Sequence, residues 1–115
     1  MPQRTTAAPS WEERKREEGG RLLKELKERY AVTPGCVFSM DWVDGSESTL
    51  ELKGRDIRGS NITVEVYATS WGGKVSLFAR GFQDSQGDNA TPYFRHHFPG
   101  GPETLLNFMK NTVFH

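Results

Sequence analysis

Apolar and polar residues alternate with period two in four short segments, Cys36–Val43, Thr49–Lys53, Ile62–Thr69 and Val75–Phe82. Successive side chains of a strand leave opposite sides of its sheet, so this period marks strands with one buried face. Cys36, Phe38, Met40 and Trp42 fall on one side of the first segment and Leu50 and Leu52 on one side of the second. Ile62, Val64, Val66 and Ala68 do the same in the third, and Val75, Leu77 and Ala79 in the fourth. Turn-forming residues separate the segments at Asp44-Gly45-Ser46, Ser60-Asn61 and Ser70-Trp71-Gly72-Gly73. The pattern predicts an antiparallel meander with one continuous apolar face, its second strand extended through a bulge over residues 54–59. Tyr93–Phe98 adds a fifth strand, ended by Pro99-Gly100-Gly101.

On either side of this block the period becomes helical. Ser10 and Glu13 form a capping box, in which each side chain accepts from the other residue's backbone N–H. The run Glu12–Glu18 has no apolar residue and offers opposite charges at i,i+4 in Glu12/Arg16 and Glu17/Arg21, the pattern of a solvated helix face. Gly19-Gly20 costs roughly 1 kcal/mol per glycine relative to alanine, which predicts a kink, an end or a hinge there. Leu22, Leu23, Leu26 and Tyr30 then form one apolar stripe, and Pro34-Gly35 closes the helix. Near the C-terminus Pro102 suits a first helical turn, Glu103 complements the dipole, and Leu105, Leu106, Met109 and Val113 follow at helical spacing.

The predicted fold is therefore α+β: an antiparallel meander of about five strands, packed on one face by an N-terminal and a C-terminal amphipathic helix. Residues 1–9 are small, polar and bounded by proline, which predicts a disordered tail ahead of one domain over 10–115. A chain of 115 residues can bury roughly two thirds of its unfolded surface, enough for a core of its own.

Charge changes this picture little. Lys plus Arg and Asp plus Glu each number 15, so no overall field draws the chain to nucleic acid or to an acidic membrane. Cys36 is the only cysteine, which excludes an intrachain disulfide and points to a reducing interior. The first nine residues lack the apolar run of a secretory signal, and no stretch approaches the ~20 apolar residues of a membrane span. The expectation is a soluble intracellular protein with no membrane contact, in the cytoplasm or an organellar matrix, the mitochondrial one included. Asn61-Ile62-Thr63 and Asn89-Ala90-Thr91 match the glycosylation acceptor pattern and are read as chance.

Catalytic, metal and cofactor chemistry finds no support. His96 and His97 are adjacent in a strand, so their side chains leave opposite faces and do not share one metal. Cys36 opens an apolar run and reads as a buried, inert thiol. The stretch Asp84–Asn89 has the composition of a calcium loop without its ligand spacing or its closing glutamate, and reads as a solvated loop. Gly72-Gly73-Lys74 lies in a hairpin, with no helix N-terminus to hold a phosphate. The chain is expected to be no enzyme and to need no cofactor.

The outer face of the meander is richer. Strict alternation puts on it Thr63, Glu65 and Tyr67, then Ser76, Phe78, Arg80 and Phe82, then Tyr93, Arg95 and His97. Four aromatics and two arginines exceed what a wet face needs, and Tyr67, Phe78, Arg80, Phe82, Tyr93 and Arg95 form the candidate functional surface. Aromatics and arginine are enriched where proteins dock, which gives a partner surface. They also suit a single-stranded RNA or DNA platform, where bases stack on rings and arginines hold phosphates. The third alternative is ordinary core, covered by a terminal helix or shifted inward by a bulge.

The order of elements, with Glu12-Glu13-Arg14-Lys15, Leu50-Glu51-Leu52-Lys53-Gly54-Arg55 and residues 59–66, resembles the acidic mitochondrial matrix glycoprotein family over about residues 11–82. In that family a charged helix precedes a strongly bent antiparallel sheet, and a terminal helical region packs against it. The resemblance implies a ring-forming, non-enzymatic matrix protein with chaperone-like roles and contacts to ribosomes or RNA, and it carries over no catalytic residue. This chain departs from the family in being short and neutral and in lacking its acidic insert and final helix pair. A frataxin-like helix–sheet–helix sandwich shares the element order alone.

The functional expectation is a non-catalytic protein-binding or assembly module, an oligomer or a subunit of a larger complex. The alternative is a single-stranded nucleic-acid binder using the same face.

Overall fold

The computed structural model describes residues 10–31, 37–45, 47–83 and 94–114. Cys36, the Asp84–Asn89 loop, Tyr93 and residues 1–9 lie outside the described residues.

Helix α1 (Trp11–Ala31) starts at the predicted capping box. The Ser10 N–H donates to Glu13 Oε1 at 2.9 Å, and the Glu13 N–H donates to Ser10 Oγ at 3.2 Å. Its ion pairs at i,i+4 include Arg14–Glu18 and Glu25–Arg29. The helix runs unbroken through Gly19-Gly20 and does not end there. The reason lies in the packing: Gly19 is buried, and a Cβ placed on it would collide with the Cβ of Ala68 on the sheet. The small residue is used for close approach, and the contact it allows offsets its poor helix propensity.

Five strands follow: β1 (Ser39–Trp42), β2 (Thr49–Arg55), β3 (Asn61–Trp71), β4 (Lys74–Gln83) and β5 (Phe94–Phe98). They form one antiparallel sheet in sequence order, so the α+β meander stands as predicted. The first strand is shorter than its alternation implied. β2 continues to Arg55 in unbroken register with β3, without the predicted bulge, and Asp56 makes the turn instead. Its Oδ1 accepts from the backbone N–H groups of Arg58 and Ser60, both at 2.9 Å. Between β3 and β4 the turn is only Gly72-Gly73, with φ of 60° and 79° and Trp71 paired to Lys74. Two consecutive positive φ angles make this the type I′ hairpin, whose twist matches that of the strands.

Helix α2 (Pro102–Phe108) passes into a wider π turn over Met109–Val113. Both helices pack on the same side of the sheet, α1 on β3 and β4 and α2 on α1 and β5. The shared core holds Leu23 and Leu26 of α1, Leu50, Leu52, Val64, Val66, Leu77 and Ala79 of the sheet, and Leu105, Met109 and Phe114 of the C-terminal segment. Phe114 stacks on Phe38 with ring centroids 4.9 Å apart, and Phe38 meets Tyr30 at 5.3 Å, so the end of α1 and the C-terminal segment meet at the residue just ahead of β1. Burying side chains of this size stabilises by about 1.5–3 kcal/mol each, which makes this layer the main support of the fold.

Candidate functional site

With both helices on the inner face, the outer face is uncovered by the other described elements, and its side chains are half-buried or exposed apart from Ser76. The reading of these aromatics as core under a helix therefore fails for the described residues. Strand pairing arranges them in rows across the sheet. Thr49, Tyr67, Phe78 and His97 form one row over β2 to β5. Asp41, Glu51, Glu65, Arg80 and Arg95 form the next, over all five strands. Ser39, Lys53, Thr63 and Phe82 form a third.

The first row is a band of rings. Tyr67 and Phe78 lie tilted with centroids 5.5 Å apart, and His97 sets its edge against Phe78 at 4.7 Å. The second row is graded in charge, three acids followed by two arginines. Only where its sign changes does it close an ion pair between neighbouring strands, Arg80 Nη2 donating to Glu65 Oε1 at 2.9 Å. The Arg80 guanidinium also lies 5.8 Å from the ring centre of Tyr67 and 5.5 Å from that of Phe82. The hydrogen bond to Glu65 raises the pKa of Arg80 above the ordinary guanidinium value, outweighing the opposing effect of partial burial. Arg80 is thus a fixed cation at the junction of the rings and the acids. Within β2, Lys53 pairs with Glu51 at 3.6 Å.

Five of the six residues singled out from the alternation can be placed: Tyr67, Phe78, Arg80 and Phe82 cluster within ring or guanidinium contact, and Arg95 stands exposed beside Arg80 on β5. Tyr93 lies outside the described residues. Glu65 and His97 were expected on this face, but their roles as ion-pair and ring partners depend on strand register. Alternation also turns Glu51 outward, whereas Asp41 is not singled out by it, and the alignment of both into the charged row depends on strand register. The Gly72-Gly73 pair held the signal for part of this, because a two-residue hairpin aligns Glu65 with Arg80.

His96 and His97 do leave opposite faces. His96 stacks on Phe98 at 4.9 Å and meets Phe108 at 5.3 Å on the helix side. Among the described residues no group of three or more His, Cys, Asp or Glu is arranged to hold a metal. A groove of about 1260 Å³ runs beside α1 past Lys15, Gly20, Lys24, Glu47 and Thr49. Its charged lining residues are spread along the helix and the β1–β2 connection. No helix among the described residues is long and apolar enough to cross a membrane. Comparisons of the chain with family models, curated proteins and solved structures found no match.

Proposed function

We propose that this chain is a non-catalytic protein-binding or assembly module whose docking surface is the outer face of the sheet. The observation that carries this reading is the band Tyr67, Phe78 and His97 beside the graded row Asp41 to Arg95, on the face that neither helix covers. Rings fixed at 4.7–5.5 Å from one another, with an arginine held against them, lose little conformational freedom when a partner lands. Aromatic and arginine side chains in such a position supply most of the binding energy of a protein interface, and the surrounding charges set its register. The element order that resembles the matrix glycoprotein family supports assembly in the same sense.

The alternative, a single-stranded nucleic-acid platform, has the stacking rings in its favour. Against it, Glu65 engages Arg80, and three carboxylates share the row that a phosphate backbone would cross.

Photo-crosslinking distinguishes the readings. A benzophenone side chain replacing exposed Arg95 is expected to give a discrete protein adduct, and the same probe at exposed Ile57 on the β2–β3 turn none. Adducts equally abundant from both positions, or absent from both, count against the module. Salt-dependent binding of a single-stranded oligonucleotide that falls on Arg80→Ala and Arg95→Ala would favour the alternative.

A further inference from the structure

We propose that the occupant of this face is a second copy of the chain, docked face to face about a twofold axis that runs parallel to the strands and passes between β3 and β4. The proposal rests on the reading that the outer face is a docking surface, and names the partner.

Like charges directly opposite one another on neighbouring strands destabilise a sheet. Here Asp41, Glu51 and Glu65 lie side by side, and so do Arg80 and Arg95. Within one chain the row has a single favourable boundary between strands, Glu65 with Arg80. Its two end residues, Asp41 and Arg95, have no ion-pair partner among the described residues. A row with acids at one end and bases at the other is complementary to its own reverse.

A twofold axis parallel to the strands supplies that reverse. It preserves height along the strands and inverts their order, so β3 faces the partner's β4 and β2 faces the partner's β5. Glu65 then faces the partner's Arg80, and Glu51 faces the partner's Arg95. At the next height Tyr67 faces the partner's Phe78, and beyond the row Thr63 faces the partner's Phe82. Each contact occurs twice, as an isologous interface requires. An axis along the row would instead lay acids on acids and bases on bases, so the charge order selects one of the two face-to-face arrangements. The result is an aligned sandwich of two sheets about 10 Å apart, a spacing that Glu and Arg side chains can bridge.

Charge and size agree with this. The formal charge of zero leaves no long-range repulsion between copies. Four strands at about 4.8 Å spacing and six to seven residues at about 3.3 Å give a footprint roughly 20 Å on each side. That is a small interface, at the weak and transient end of the range for specific contacts, so the dimer is a reversible one.

Sedimentation equilibrium with exchanged charges tests the arrangement. The wild-type chain is expected to approach twice 13.0 kDa with rising concentration. Arg95→Glu and Glu51→Arg are each expected to raise the dissociation constant tenfold or more, by setting two like-charge pairs across the axis. A one-to-one mixture of these two variants, and the double variant Glu51→Arg/Arg95→Glu, are both expected to dimerise again, because each restores opposite charges at both contacts. Arg95→Glu places an acid beside Arg80 within its own chain, so its circular dichroism and melting temperature should equal or exceed those of the wild type; a folded monomer then reports on the interface alone. Failure of the mixture to recover overturns the twofold arrangement. If the dimer weakens on Tyr67→Ala but ignores every charge exchange, that arrangement falls and the docking face stands. A trimer or higher ring overturns it too, as does a wild type that remains at 13.0 kDa at millimolar concentration in low salt while the benzophenone side chain replacing Arg95 still crosslinks to another protein. A dimer indifferent to both Tyr67→Ala and the charge exchanges overturns the docking face itself.

Discussion

Arg80 donates to Glu65 across β3 and β4 at 2.9 Å, and both side chains keep 36% of their exposure. Because the pair is half-solvated, its ion pairing contributes only about 0.2–1 kcal/mol. Arg80 also lies against Tyr67 and Phe82, contacts worth about 0.5–1 kcal/mol at such sites. Glu65→Gln is therefore expected to cost less than about 1 kcal/mol in urea denaturation, and Arg80→Ala about 1–2 kcal/mol. Equal losses for the two variants would mean that the rings contribute nothing to holding Arg80.

The two adjacent glycines of α1 should respond in opposite directions to the same substitution. Gly20→Ala meets nothing within 4 Å and gains helix propensity, so a stabilisation of about 0.5–1 kcal/mol is expected in thermal denaturation. Gly19→Ala drives a methyl group into Ala68 and is expected to destabilise by about 1–3 kcal/mol. Adding Ala68→Gly should recover part of that loss. If Gly19→Ala stabilises as Gly20→Ala does, α1 and β3 are not in close contact at this point.

The start of α1 carries a pH dependence of known sign. Hydrogen bonds from the backbone and side chain of Ser10 lower the pKa of Glu13 below its ordinary 4.5, and Arg16 adds to the effect. A carboxylate with a depressed folded-state pKa stabilises the helix above its unfolded value, and that contribution is lost as pH falls through the folded one. Helix order at residues 10–14 should thus be full above pH 4.5 and decline below it. NMR titration of the Glu13 carboxyl carbon measures the shift directly, and Ser10→Ala should return it toward 4.5. A Glu13 that titrates at or above 4.5 in the folded chain would contradict the capping box.

On the proposed reading the outer rings serve docking and are not needed for folding. Phe78 and Tyr67 stand on the face away from the core, so Tyr67→Ala/Phe78→Ala should keep the sheet's far-ultraviolet circular dichroism while removing the ring band. Collapse of the fold in this double variant would assign the rings a structural role instead.

Much of the fold is legible in the sequence, because a period of two places a residue on a face without any knowledge of its neighbours. Leu50, Leu52, Ile62, Val64, Val66, Leu77 and Ala79 are buried where alternation puts them. The capping box at Ser10 and the stripe of Leu23 and Leu26 are equally local signals, and both are present. Gly19 misleads, since propensity reads the helix alone and the decisive contact comes from Ala68, a residue 49 positions further along that only the folded sheet brings near. The candidate face was legible as a set of side chains and illegible as an arrangement. Alternation gives the face of Glu51, Glu65, Arg80 and Arg95, whereas their alignment into one row depends on the register of three hairpins. Only the Gly72-Gly73 hairpin advertises its register through a two-residue turn.

The outer face is proposed as the place where the chain meets its partner, and that partner as another copy of itself. Multi-angle light scattering of the purified chain over a range of concentrations, beside the Tyr67→Ala/Phe78→Ala variant, decides this. The predicted result is a wild-type mass that climbs from 13.0 kDa toward twice that value, and a folded double variant that stays at 13.0 kDa. A wild type fixed at 13.0 kDa, or an oligomer that the double variant leaves intact, would contradict it.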